Sequence, residues 1–286
     1  MKHKILSGEQ LAGQILDRIT TQVAQLGSSR KPALAVVLVG NDPASQVYVG
    51  RKKTACAKVG IKSLDFTLPE DTTQEALLEL IEQLNLDPTV DGILVQLPLP
   101  KHLNNKLVID KILPNKDVDG FHRYNIGSLA INDPQICSCT PHGIMYMLDS
   151  LQLDYAGKHV VIIGASNIVG RPMALELLNR GATVTVCNSK TKNLPELSNQ
   201  ADILVVAVGK PKLVKASWVK PDSIVIDVGT TLLDNGKLCG DVDFEEVIPK
   251  VSYITPVPGG VGPMTIAMLI NNTLHCYYLN NQSKSL

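Results

Sequence analysis

The sequence predicts an α/β protein of two domains built on parallel sheets. Three observations carry this. Apolar, β-branched runs recur along the 286 residues, at 33–39, 92–96, 159–163, 183–187, 203–207 and 224–228. They are continuous rather than alternating, as strands buried on both faces are. Helical patterns separate several of them, at 43–59, 73–84 and 172–179. Finally, residues 157–172 (Gly-Lys-His-Val-Val-Ile-Ile-Gly-Ala-Ser-Asn-Ile-Val-Gly-Arg-Pro) read as buried strand, glycine turn and helix start.

The elements follow in order. Leu11, Ile15, Ile19, Val23 and Leu26 recur at helical spacing, so the first 26 residues read as an amphipathic helix rather than a signal peptide. Strand 33–39 leads to Asp42-Pro43, an N-cap followed by proline at the first helical position, and Gly60 supplies the stop. On that helix Tyr48, Lys52, Cys56 and Val59 share one face. Every other member of the stripe is apolar or aromatic. The lysine is either snorkelling or held in a site where its amine can serve proton transfer. Strand 92–96 ends in Gln96, at the carboxyl end of a buried parallel strand, where α/β proteins place ligands. Asp117-Val118-Asp119-Gly120 is a turn sequence with two carboxylates; paired acids also suit a divalent metal, but no third ligand lies near, and no metal is expected.

Residues 115–141 are poor in apolar periodicity and rich in Asp, Asn, Gly and Pro, which sets a boundary near their end. The expected domains are 1–138, joined by a final helix at 263–286, and a dinucleotide-binding domain at 139–262. A cleft between two such domains is a natural place for a small-molecule site.

In residues 164–172 the spacing is G-x-S-x-x-x-G-x-P. Glycine lets a pyrophosphate approach the backbone, and free N–H groups at the helix start face the anion. Strand 183–187 ends in Asn188-Ser189-Lys190-Thr191, with no acid to bond a ribose 2′-hydroxyl. That favours NADP over NAD, with Ser189 and Lys190 as candidate phosphate contacts. Residues 255–265 (Thr-Pro-Val-Pro-Gly-Gly-Val-Gly-Pro-Met-Thr) form a loop shaped by fixed and positive φ values, able to line a flat ligand or simply to connect two elements.

Composition excludes other classes. The chain is 44% hydrophobic and 19% charged with zero formal net charge, so nothing suggests attraction to nucleic acid or an anionic membrane. Its six cysteines form no C-x-x-C and its six histidines do not cluster, as expected of a reduced cytoplasmic protein without structural zinc.

Together, residues 48–52, 91–100, 116–122, 139–143, 164–172 and 255–265 closely resemble the bifunctional methylenetetrahydrofolate dehydrogenase/methenyltetrahydrofolate cyclohydrolase family of the bacterial type. The resemblance implies a cytoplasmic homodimer with an N-terminal α/β folate-binding domain and a C-terminal Rossmann-type NADP domain. It implies oxidation of 5,10-methylenetetrahydrofolate to the methenyl cation with NADP, then hydrolysis to 10-formyltetrahydrofolate. By resemblance Lys52 is the essential lysine and Gln96 its partner. Tyr48 orients the folate, and Asp119 bonds the pterin edge. Gly164, Ala165, Ser166, Ser189 and Thr230 match cofactor positions; Pro258, Gly259, Gly262 and Pro263 match substrate positions. The sequence departs from the family pattern at Ala165, where arginine is common, at Asn188, where histidine is common, and at Thr230-Thr231, all around the cofactor. Rival readings are a dehydrogenase that has lost the cyclohydrolase step, a shikimate or amino-acid dehydrogenase, and a non-catalytic nucleotide-binding scaffold. Intact Lys52 and Gln96 argue against the first, the second would not need Tyr48 and Lys52 together with the proline-glycine run, and the third would tolerate loss of Lys52 or Asp119, both of which are present.

Overall fold

The computed structural model describes residues 4–27 and 30–282. In chain order its elements are α1 (Gly8–Ala24), β1 (Ala33–Val39), α2 (Pro43–Val59), β2 (Lys62–Leu68), α3 (Gln74–Leu86), β3 (Gly92–Val95), α4 (Asn105–Lys111), α5 (Arg123–Ala130), α6 (Cys139–Asp149), β4 (His159–Ile163), α7 (Gly170–Asn179), β5 (Thr183–Cys187), α8 (Leu194–Ser198), β6 (Ile203–Val206), β7 (Ile224–Asp227), β8 (Thr231–Leu232), β9 (Leu238–Cys239), α9 (Phe244–Val247), β10 (Tyr253–Ile254) and α10 (Val261–Gln282). The chain divides into two compact units. One is Gly13–Cys139 with Ile266–Leu286; the other is Met1–Ala12 with Thr140–Thr265.

The first unit carries a three-stranded parallel sheet in the order β2-β1-β3. Every residue of β1 is buried, which explains its unbroken apolar run. The core packs Val37, Leu77, Ile81, Ile93 and Val108 together. Strand β2 was not legible as a run: it lies at the sheet edge, and Lys62, Asp65 and Thr67 point outward between half-buried residues. Helix α5 also lies in the stretch the sequence leaves without periodicity. Two of its three buried residues are polar, Asn125 and Ser128, so it carries no apolar stripe to read.

This sheet is pinned at its amino end. Arg30 donates Nη1 to Asp91 Oδ2 at 2.6 Å and Nη2 to Oδ1 at 2.7 Å, and the Ala33 N–H donates to Oδ2 at 2.8 Å. The guanidinium lies 5.1 Å from the ring centre of Tyr277 on α10. Asp91 is fully buried and Arg30 about a third exposed. Arg30→Met would leave a buried carboxylate with a single N–H, while solvent at the arginine softens the loss. The expected destabilisation is about 2 kcal/mol, checked by urea titration. An unchanged midpoint would show that the pair is not structural.

The second unit holds a five-stranded parallel sheet in the order β10-β7-β6-β4-β5, with a short antiparallel hairpin of β8 and β9. Its core includes Val161, Ile163, Leu204, Val206, Val225 and Ile254. The sequence assigns the first 12 residues to the first domain, whereas the described ones among them, 4–12, group with this unit. The reason is backbone pairing: the Leu6 N–H donates to Ile254 O and the Gly8 N–H to Gly259 O, each at 2.9 Å. The chain steps from β4 outward to β5 and then back across to β6, so the order reverses at β4, the place where doubly wound sheets bind ligands.

Candidate active site

Helix α2 forms because its ends are fixed. Asp42 Oδ2 accepts from the Ser45 N–H at 2.7 Å, Pro43 occupies the first turn, and Gly60 closes the helix in the left-handed conformation. The predicted face is real: Lys52, Cys56 and Val59 are buried and Tyr48 is half-buried. Lys52 is only 8% exposed, so it does not snorkel. Its Nζ donates to Gln96 Oε1 at 3.0 Å. Gln96 is itself oriented: its backbone N–H donates to Val37 O at 2.9 Å, just past the end of β3, and its Nε2 donates to Leu97 O at 2.6 Å. The amide oxygen is thereby turned toward the lysine.

Asp119 reaches the same region by a different route. Asp117 bridges Ile93 in parallel, so the 117–119 segment continues the sheet beside β3 and carries Asp119 level with the strand end. The turn is clamped on both sides. Asp117 Oδ1 accepts from the Gly120 N–H at 3.2 Å, while Oδ2 accepts from the His122 N–H at 2.8 Å and Asn125 Nδ2 at 2.9 Å. These donors commit the Asp117 carboxylate to the backbone turn. From α10, Asn272 Nδ2 donates to the carbonyl oxygens of Val118 and Cys137, each at 2.9 Å. Burial pushes the Asp119 carboxyl up to about 6; the Lys52 charge opposes that shift and Asp117 adds to it. Cation and acid therefore sense each other. Tyr48, Lys52, Gln96 and Asp119 all belong to the first unit.

The remaining predicted residues belong to the second unit. Gly164 follows β4 with φ of +123°, and a Cβ there would overlap the Ala207 carbonyl oxygen. The turn is therefore closed at backbone distance, with α7 starting at Gly170. Ala165 is half-buried; Ser166 is exposed and its Oγ accepts from the Val169 N–H at 3.1 Å. Ser189 and Lys190 are exposed just past β5, and Asn188 Oδ1 accepts from the Lys190 N–H at 2.9 Å. Thr230 is exposed past β7. All these positions lie at the carboxyl edge of one parallel sheet, about its reversal point. A backbone-tight glycine turn, a following helix start and an acid-free β5 end fit a dinucleotide with a 2′-phosphate. Pro258 is exposed and Gly259 half-buried on the loop after β10, where φ of Gly259 is +95°; Gly262 and Pro263 are half-buried in the first turn of α10.

Sequence reasoning missed the supports of these groups. Asn272 is one signal: it is an amide buried among the apolar residues of α10. Asp241 is another, fully buried just after Gly240.

Comparison with known proteins agrees with this arrangement. Residues 6–119 match the catalytic domain of the tetrahydrofolate dehydrogenase/cyclohydrolase family, and residues 138–281 match its NAD(P)-binding domain. The chain is 55% identical to the bifunctional protein FolD of Neisseria gonorrhoeae over 98% of this chain and 100% of that one. The bifunctional FolD enzyme of Campylobacter jejuni, a methylenetetrahydrofolate dehydrogenase/cyclohydrolase, has a TM-score of 0.95 at 51% identity, covering 96% of this chain and 98% of its own. The Trypanosoma brucei enzyme, solved with NADP cofactor and inhibitor, has a TM-score of 0.93 at 38% identity, covering 96% and 97%. With both halves matched in order and nearly the full length shared, the chain belongs to the tetrahydrofolate dehydrogenase/cyclohydrolase family.

Proposed function

We propose that the chain oxidises 5,10-methylenetetrahydrofolate to the methenyl cation with NADP and hydrolyses that cation to 10-formyltetrahydrofolate, with Lys52 as the group that moves protons in the second step. One observation carries the assignment: a buried lysine held on a fixed amide oxygen, within electrostatic reach of the half-buried acid Asp119.

NADP, when bound, supplies the hydride acceptor. Hydride transfer itself asks the protein chiefly for alignment, and the groups here divide that task. Tyr48, half-buried one turn before Lys52, offers its ring to the folate; the Asp119 carboxylate accepts hydrogen bonds from the amino-pyrimidine edge of the pterin. Hydrolysis asks for more. Water adds to the methenyl carbon, the bond from that carbon to N5 breaks, one proton of the water ends on N5 and the other is released. Lys52 carries these protons, and Gln96 fixes where its Nζ stands. Pro258, Gly259, Gly262 and Pro263 contribute further folate contacts. Gly164, Ala165, Ser166, Ser189 and Thr230 hold the dinucleotide. The working form is a cytoplasmic homodimer: six free thiols suit a reducing compartment, and β5 is a sheet edge carrying the exposed Val186.

The assignment is tested by supplying methylenetetrahydrofolate with NADP and with NAD, following reduced dinucleotide and formyl product together. Both should form, faster with NADP. Absence of dinucleotide reduction, or accumulation of methenyl product without hydrolysis, would refute it.

A pH dependence follows from Asp119. An acid whose ordinary value lies near 3.8 and is raised to about 6 must lose its proton to accept from the pterin. Folate affinity should therefore be full above pH 7 and fall as pH drops through about 6. Asp119→Asn should weaken binding and flatten that profile. Lys52→Met removes the charge that opposes the rise, so its midpoint should move upward. Fluorescence titration of folate across pH 5–8 checks all three (a range set around the ordinary working interval); a flat wild-type profile would contradict the contact.

A further inference from the structure

Two buried carboxylates lie beneath the carboxyl edge of the five-stranded sheet, and no catalytic step uses them. Asp227 ends β7 and Asp241 follows β9. Asp227 Oδ1 accepts from the N–H groups of Gly229 at 3.0 Å and Asp241 at 2.9 Å; its Oδ2 accepts from the Val242 N–H at 2.9 Å. Asp241 Oδ2 accepts from the N–H groups of Val208 at 2.7 Å and Gly209 at 3.0 Å. Its Oδ1 is buried without a hydrogen-bond partner among the described residues. The two side chains are packed reciprocally. A Cβ on Gly229 would overlap the Asp241 carboxylate, and a Cβ on Gly240 would overlap Asp227 Oδ2. The Asp227 N–H in turn donates to Thr255 Oγ1 at 2.8 Å, at the head of the loop after β10.

The Asp241 carboxylate thus ties together the loops that follow β6 and β7, and Thr230 rides on the second of them; the link to the β10 loop runs through the Asp227 backbone N–H and does not depend on Asp241. Burying two acids side by side is costly: burial, with the Asp241 charge adding to it, pushes the Asp227 carboxyl up to about 7. A device of that cost, set at the carboxyl ends of β6 and β7, calls for a role beyond filling space.

We infer that Asp241, seated against Asp227, is a positioning residue for the dinucleotide: it holds the β6 and β7 loops in the shape that admits NADP. The inference rests on the cofactor assignment above. Without the Asp241 carboxylate, the N–H groups of Val208 and Gly209 lose their acceptor, a void opens beside Gly229, and the loops relax away from the bound form.

The test is calorimetric titration of NADP into the wild-type protein, Asp241→Ala and Asp241→Asn, with methenyl hydrolysis, which consumes no dinucleotide, assayed alongside. Asp241→Ala should bind NADP roughly tenfold more weakly or worse (about 1.4 kcal/mol) while hydrolysing methenyl substrate at the wild-type rate. Asp241→Asn keeps an amide oxygen for the two N–H groups and removes the charge that acts on Asp227, so it should stay within about threefold of wild type. If Asp241→Ala does not fold, Asp241→Ser carries the same comparison with the acceptor withdrawn from reach. Unchanged NADP affinity in the alanine or serine variant overturns the inference. So does joint loss of affinity and hydrolysis, which marks a general structural role, or an asparagine variant as weak as alanine. A wild-type protein that binds no NADP would instead refute the cofactor assignment itself.

Discussion

Lys52→Met is expected to slow methenyl hydrolysis by about 10²–10⁴-fold and to leave hydride transfer measurable. Methionine matches the length of the lysine stem and suits a buried stripe beside Cys56 and Val59, so α2 should keep its packing. What it lacks is the amine. Hydrolysis moves two protons at the bridge carbon and N5, and Lys52 is the amine held near Asp119 on a fixed acceptor. Hydride transfer moves none through the lysine and depends on how the reactants are aligned. Parallel assays of dinucleotide reduction and methenyl decay separate the steps. Equal loss of both, with folate affinity and melting temperature intact, would remove the division of roles.

Gly164→Ala is expected to destabilise the second unit by about 2–4 kcal/mol and to remove most NADP affinity. Two separate demands meet at this residue. Its φ of +123° is a conformation side chains avoid, and an added methyl group would collide with the carbonyl oxygen of Ala207. That carbonyl belongs to backbone just past β6, whose Ala207 N–H bonds to Ile163 O at 2.8 Å, so it cannot move without opening the sheet. Scanning calorimetry and NADP titration read the two effects. A variant that melts and binds as wild type does would mean that the turn is looser than its geometry implies.

The fold was legible wherever apolar, β-branched residues run without a break. Strands β1 and β4, buried almost throughout, have the bounds their runs predict; so does β5, whose run of Val and Thr marks it although it is an edge strand with Thr183 and Val186 exposed, and α2 has the bounds its caps predict. Legibility failed where charged residues break the run or the buried groups are polar. β2 alternates at an edge, and α5 buries Asn125 and Ser128. The candidate site divides in the same way. Lys52 could be singled out because a cation on an apolar stripe is locally anomalous, and Gln96 because it ends a buried strand. The clamp on Asp119 could not, since Asn272 lies 154 residues from Val118 and its use depends on where α10 packs. Asp227 and Asp241 were hidden for the same reason: each takes its meaning from N–H groups on other loops.

The most direct test of the central claim is a crystal structure with NADP and an unreactive analogue of methylenetetrahydrofolate. Lys52 Nζ should lie within hydrogen-bonding reach of the bridge region, still braced by Gln96, with the Asp119 carboxylate accepting from the amino-pyrimidine edge. An analogue bound away from Lys52, its pterin making no contact with Asp119, would contradict the mechanism.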